Sequence, residues 1–203
     1  MVRAFAIVPA TGASLRMGRP KLLLPWKDST VIETVLKAWQ AGGVGKVVVT
    51  VRAGDETLAE ICRKAGAEVV IPKSAPLDMK ASVRIGLEHV AQKFQPTEYD
   101  AWLVAPADLP LLSSDVIRTL IVEHDKTPGD ILVPCQAGRR GHPVLFPWLI
   151  VEQMRHLKDD EGFNVLLACG LVREISVALP VAGDDLDTPA DFVRLQNRHD
   201  RRE

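Results

Sequence analysis

The sequence predicts an α/β fold built on a mostly parallel central sheet, and three observations predict it. Short apolar runs rich in β-branched residues alternate with longer amphipathic segments, the pattern of strands joined by helical crossovers. A glycine-bearing polar stretch follows the first of these runs directly, where open parallel sheets carry their ligand loops. The mix of 47% apolar, 25% charged and 5% aromatic residues suits a packed globular protein rather than a disordered or coiled chain. At 203 residues the expectation is one domain spanning residues 1–203.

The first strand is expected at Ala4–Val8. Thr30-Val31-Ile32-Glu33 matches a capping box, a hydroxyl followed three residues later by a carboxylate, and opens a helix that runs to Ala41 and stops at Gly42-Gly43. Lys46–Val51 reads as a strand, Asp55–Ala65 as a helix closed by a positive-φ glycine at Gly66, and Glu68–Ile71 as a third strand. Met79–Phe94 is a long amphipathic helix, Ala101–Val104 a buried strand and Ser113–Glu123 a capped helix. After Gly129 the alternation loosens. Ile131–Pro134 and Pro143–Phe146 flank the polar turn Gly138-Arg139-Arg140-Gly141, which suggests a hairpin or an antiparallel edge. Trp148–His156, Asn164–Cys169 and Pro189–Asn197 read as helices and Glu174–Val177 as a late strand.

The 25 basic and 26 acidic residues are interspersed, giving a formal net charge of −1. No basic stripe points to nucleic acid and no polybasic segment to a membrane surface. The apolar N-terminal run meets Pro9 too early for a secretory signal or a membrane span, so the expected location is the cytoplasm. Cys62, Cys135 and Cys169 lie far apart, without disulfide or zinc spacing, and read as buried small hydrophobes.

The chemistry concentrates in three stretches. Pro9-Ala10-Thr11-Gly12-Ala13-Ser14-Leu15-Arg16-Met17-Gly18-Arg19-Pro20-Lys21 follows the first strand. Gly12 and Gly18 let backbone N–H groups approach anionic oxygens, and Arg16 and Lys21 add permanent charge. The stretch is not a Walker A loop, because five residues separate its glycines and the lysine comes three later, and it lacks the G-x-G-x-x-G dinucleotide fingerprint. It is either a phosphate cradle or an ordinary turn. In Val104-Ala105-Pro106-Ala107-Asp108-Leu109-Pro110, a carboxylate sits at the end of a buried strand, as a Mg²⁺ ligand or as the cap of a turn. In Asp185-Leu186-Asp187-Thr188-Pro189-Ala190-Asp191, Asp187 is a second candidate metal contact, while Thr188-Pro189 equally reads as a helix start.

In this order and spacing, the three stretches resemble the molybdenum cofactor nucleotidyltransferases, and most closely their cytidylyltransferase side. Two further segments carry the resemblance: Asp78-Met79-Lys80-Ala81-Ser82-Val83-Arg84-Ile85-Gly86-Leu87, similar to the family's M-x-x-S-[LV]-x-x-G-[LI] helix, and Arg140-Gly141-His142-Pro143-Val144-Leu145-Phe146, similar to its R-G-H-P-V-L-[FL] stretch. The resemblance runs from Phe5 to about Arg194. It implies a three-layer, Rossmann-like nucleotidyltransferase fold that moves CMP or GMP from a nucleoside triphosphate to the terminal phosphate of molybdopterin, releases pyrophosphate and uses Mg²⁺. It also implies a molybdoenzyme partner for the product.

The implied roles fall on particular residues. Arg16, Lys21 and Asp108 are the catalytic candidates; Ala10, Thr11, Gly12, Ser14, Gly18 and Ser82 join Arg16 and Lys21 around the nucleotide. Asp108 and Asp187 would hold the metal, and Arg140 and His142 the acceptor. The chain departs from the family pattern at Pro9 and Thr11 in the base-facing part of the loop, at Ala107 where glycine is usual, and at Asn164 where an arginine is usual. Two rivals stand beside this reading: a sugar-1-phosphate nucleotidyltransferase, and a non-catalytic protein that binds a cofactor and hands it on.

Overall fold

The computed structural model describes residues 2–178 and 183–200, the side chains of 199 and 200 apart. Strand β1 (Ala4–Ala10) is buried almost throughout, because the sheet is covered on both faces and its strands are apolar on both. Ala4, Ala6, Val8 and Ala10 face one helical layer, and Phe5 and Ile7 face the other. The first layer holds α1 (Val31–Ala41), α2 (Glu56–Lys64), α4 (Ser114–Lys126) and α7 (Pro189–Asp200); the second holds α3 (Met79–Phe94), α5 (Val151–His156) and the short α6 (Phe163–Leu166). The result is the three-layer arrangement.

The main sheet comprises β1, β4 (Lys46–Val51), β5 (Glu68–Val70), β6 (Ala101–Val104), β7 (Ile131–Gln136), β9 (Val144–Pro147) and β10 (Val172–Ser176). Its order is β10-β7-β9-β6-β1-β4-β5, with β8 (Arg139–Arg140) paired to β7. Strand β1 lies between β4 and β6 and is parallel to both, with Val8 opposite Val49 and Ile7 opposite Val104. Strand β9 runs antiparallel to β6 and β7. The antiparallel strand is therefore internal rather than at an edge, and its Leu145 and Phe146, 0% and 1% exposed, have the apolar content an interior position needs. The antiparallel pairing expected of the runs 131–134 and 143–146 is present in β7–β9, with Leu132 opposite Leu145, while Arg139 and Arg140 of the expected turn form the short strand β8 against β7.

Local signals set most element ends. Thr30 and Glu33 form the capping box, each satisfying the other's backbone N–H. Asp55, Asp78 and Ser113 cap α2, α3 and α4, and Gly66 adopts φ +82°. Thr188 and Asp191 bond reciprocally at the start of α7. A small hairpin of β2 (Pro25–Trp26) and β3 (Ser29–Thr30) was not expected, since its Lys27-Asp28 turn lacks the Asn-Gly or Asp-Gly signature. Cys62 and Cys135 are buried as expected, whereas Cys169 is exposed beyond the end of α6. Among the described residues no helix is long and apolar enough to cross a membrane.

Arg3 fastens the start of β1 to Asp100, immediately before β6. Its backbone N–H donates to Asp100 Oδ1 at 2.9 Å and its guanidinium to Oδ2 at 2.6 Å, while Thr97 N–H adds a bond of 2.7 Å. Burial alone would raise the Asp100 pKa, but these donors and the Arg3 charge outweigh it and hold the carboxyl below its ordinary value. The stabilisation is complete above the unfolded value of ~3.9 and disappears as pH falls through the lower folded value. Asp100→Asn should therefore lower the urea midpoint most near neutrality, and its gap to wild type should narrow as pH drops below about 4.

Candidate active site

Beyond Ala10 the chain leaves the sheet and folds back on itself. Ser14 adopts φ +54° and Gly18 φ +69° around a short 3-10 turn, Leu15–Met17. Only the buried Met17 anchors that turn, so Leu15 and Arg16 project outward. The N–H of Lys21 donates to Ser14 Oγ at 3.1 Å and closes the loop. Ser14 thus acts on the loop rather than on the cleft. A Cβ on Gly12 would meet no atom within 4 Å, so the space beside this backbone is open.

Lys21 brings the three sequence stretches together. Its ammonium group bonds to Asp108 Oδ2 and lies 2.9 Å from Asp187 Oδ1; Asp187 Oδ2 in turn meets Arg16 at 2.9 Å. Burial by itself would lower the Lys21 pKa, but the hydrogen bonds and charges of Asp108 and Asp187 reverse the sign and hold it above the ordinary lysine value. Asp108 comes from the loop after β6, and Ala107 before it has no positive φ, so alanine fits where glycine was expected. The N–H of Leu186 donates to the Asp108 carbonyl at 3.2 Å and ties the Asp187 segment to that loop. Asp185 also lines the cleft. Lost solvation and the charges of Asp108 and Asp187 push its pKa up.

These residues surround a cleft of about 440 Å³. Its opposite wall is the segment leading into α3, with Pro76, Leu77, Asp78 and Met79. Ser82, fully buried, shares a 2.8 Å hydrogen bond with Thr11, and its carbonyl accepts from Thr50 Oγ1 at 2.9 Å. Ser82 thus supports the loop from behind. Helix α3 can sit this close to β1 because position 86 is glycine: a Cβ there would stand 2.9 Å from Ile7 Cγ2.

The two acceptor candidates separate. Arg140 lies on the exposed hairpin with its guanidinium 2.8 Å from Glu174 of β10, so it does not line the cleft. His142 lines a smaller apolar cavity of about 160 Å³ that shares Met79 and Pro106 with the cleft and is closed by Phe163, Asn164 and Leu167. Burial lowers the His142 pKa against the opposing effects of the Val104 backbone and Asp108, and its Nδ1 has no protein partner. Sequence reasoning overlooked Lys80, which is 7% exposed. Its ammonium group donates to the carbonyls of Lys158, Asp159 (3.1 Å) and Glu161 (2.7 Å). A lysine without a carboxylate partner leaves no trace in the sequence pattern. Leu77 and Asp185 were missed as well, although Asp185 alternates with Asp187 on the same extended segment.

The donor set suits a hard divalent ion. Asp108 and Asp187 already direct oxygens at one cation, the Lys21 ammonium. Among the described residues no three His, Cys, Asp or Glu side chains gather at one point. That count fits Mg²⁺, which takes one or two carboxylates and completes its shell with water and phosphate oxygens.

A cleft at the carboxyl ends of parallel strands, floored by a glycine-bearing loop and edged by paired carboxylates and cations, defines a nucleotide-handling α/β protein. The MobA-like NTP transferase domain matches residues 6–176, and the chain belongs to that family. It is 29% identical over 200 residues to nicotine blue oxidoreductase of Paenarthrobacter nicotinovorans, covering 93% of this chain and 94% of the relative. It is 24% identical to molybdenum cofactor cytidylyltransferase of Escherichia coli (95% of both chains) and 28% identical to a probable molybdenum cofactor guanylyltransferase of Bacillus mycoides (98% and 94%). Among solved structures, Rv0371c of Mycobacterium tuberculosis in complex with manganese superposes with a TM-score of 0.77 at 25% identity, over 97% of this chain and 99% of that one.

Lys80 offers a test of how the small cavity is walled. Lys80→Met keeps the length but removes the ammonium donor from three carbonyls, of which only that of Lys158 keeps another donor, the Glu161 N–H, and this should cost about 1–3 kcal/mol. Hydrogen exchange should accelerate in residues 158–167, with β1 and β4 keeping their protection.

Proposed function

We propose that this protein, acting as a single domain in the cytoplasm, transfers CMP or GMP from a nucleoside triphosphate to the terminal phosphate of molybdopterin, releasing pyrophosphate. The observation that carries the reading is the convergence of Arg16, Lys21, Asp108 and Asp187 at the mouth of the cleft, three separate stretches of sequence meeting around one cation. Named cytidylyl- and guanylyltransferase relatives along almost the whole chain support it. The free thiols of Cys62, Cys135 and Cys169 suit a reducing compartment.

In this reaction an oxygen of the acceptor phosphate bonds to the α-phosphorus. The bond from that phosphorus to the bridging β-oxygen breaks, and its electron pair leaves with pyrophosphate. A phosphate monoester is ionised at neutral pH, with its second pKa near ~6, so no general base is needed. Lys21 and Arg16 neutralise charge on the transferred and leaving phosphates. Asp108 and Asp187 would hold Mg²⁺, which supplies further charge neutralisation when bound. Backbone groups of Ala10, Thr11 and Gly12 face the base, with Gly18 shaping the turn, and His142 meets the acceptor. Product would pass to a molybdoenzyme.

The 29% identity to an oxidoreductase supports one rival, a redox reaction in the same cleft. The missing dinucleotide fingerprint weighs against a nicotinamide there. Pyrophosphate release, assayed with each of four triphosphates with and without molybdopterin, decides. The proposal requires acceptor-dependent release with CTP or GTP; consumption of a reduced electron donor without pyrophosphate supports the rival. Asp108→Ala should abolish metal-dependent release with an unchanged circular dichroism spectrum, since Lys21 keeps Asp187. Arg16→Ala should lower the rate by about 10²–10³.

A further inference from the structure

The smaller cavity beside the cleft is built on the antiparallel pair β6–β9, where Val104 stands opposite Val144. Phe146, two residues further along β9, is 1% exposed and stacked on Trp102 with ring centroids 4.4 Å apart, so this floor is stiff. The roof is Phe163 and Leu167. They lie four residues apart and therefore on one side of the short helical turn, both half-buried against the core of the second layer. Lys80 holds that roof through the carbonyls of Lys158, Asp159 and Glu161, just ahead of α6.

The lining decides what can enter. Among the described residues no lysine, arginine, aspartate or glutamate borders this cavity, and hardly any nitrogen or oxygen atom faces it, so His142 and Asn164 turn chiefly carbon inward. A charged or strongly hydrated group would surrender its water here and gain no hydrogen bond in return. An apolar group loses nothing comparable and covers the half-exposed faces of Phe163 and Leu167. Size narrows the choice further. The volume is about 160 Å³, and an apolar cavity of about 150 Å³ holds one benzene-sized ring. Phe146 and Phe163 suit a flat occupant, since aromatic rings pack favourably in offset or edge-on contact.

We propose that this cavity seats an uncharged carbocyclic ring of phenyl size, chosen by Phe163 and Leu167. The proposal goes beyond the transfer reading, because it stands whichever phosphorylated acceptor the cleft takes. Two sources share the chemistry. One is a separate small aromatic molecule; the other is the ring of a phosphorylated compound that reaches past Met79 and Pro106, the residues common to both spaces, into the cleft.

Methyl NMR of the full chain titrated with toluene tests the proposal. Toluene should shift the methyl signals of Val104, Val144 and Leu167 and bind with a Kd at or below about 1 mM. Pyrimidine, a ring of the same size whose two nitrogens need water, should bind at least about tenfold more weakly, a comparison that requires no variant. Leu167→Trp, which fills the cavity, and Phe163→Ala, which removes part of its roof, should each weaken toluene by about tenfold or more while the amide signals of β1 and β4 stay in place. Benzyl phosphate separates the sources. If it displaces toluene at lower concentration than benzyl alcohol does, and inorganic phosphate displaces none, the ring belongs to a phosphorylated compound; if benzyl alcohol competes equally well, the ring belongs to a separate molecule. Toluene that leaves those methyls unshifted, binds no better than pyrimidine, or binds both variants as tightly as wild type overturns the proposal. Each of these failures leaves acceptor-dependent pyrophosphate release, the test of the transfer reading, untouched.

Discussion

Strand β1 has a parallel neighbour on each side, and that pairing dictates where chemistry can take place. The crossover to β4 leaves in one direction and the later approach to β6 comes from the other, so a crevice opens at their carboxyl ends. Both faces of these strands are covered, which leaves almost no room for polar side chains inside them. Polar groups are displaced to the loops beyond Ala10 and Val104, and those loops meet because their strands are paired.

The cleft also carries an unequal charge. Asp78, Asp108, Asp185 and Asp187 stand against Arg16 and Lys21, four formal negative charges against two positive. Lost solvation first, and the charges of Asp108 and Asp187 second, raise the pKa of Asp185. A polyphosphate would add still more negative charge, so the site accommodates it only with an added dication or with Lys21 drawn away from its carboxylates. The geometry that keeps Lys21 charged and half-buried is the same geometry that a divalent ion would use.

Much of this was legible in the chain itself. Period-two and helical patterning placed β4, α3 and β6 to the residue, because each is bounded by a strong local signal such as the Asp78 cap. Lys21, Asp108 and Asp187 were identifiable because each lies in a polar stretch that follows a strand or precedes a helix. What failed depended on tertiary partners. Arg140 looked like an acceptor contact until the β7–β8 hairpin directed it to Glu174. Nothing local distinguishes an internal antiparallel strand from an edge, so the place of β9 was missed. Lys80 was invisible, since its partners are backbone carbonyls almost eighty residues away, at separations of 78 to 81.

The Asp187 segment reaches the cleft from the far end of the chain. It bonds to Lys21 across 166 residues and is secured by buried Leu186 and by the Phe192 ring against Trp26, with centroids 5.8 Å apart. A nascent chain can therefore collapse its sheet and bury most of its core while this corner is still incomplete. Assembly of the charged cluster waits until α7, which follows every strand of the sheet in the chain, has been made and docks. A polypeptide stalled or clipped before that helix would lack the Phe192 ring that secures the Asp187 segment against Trp26.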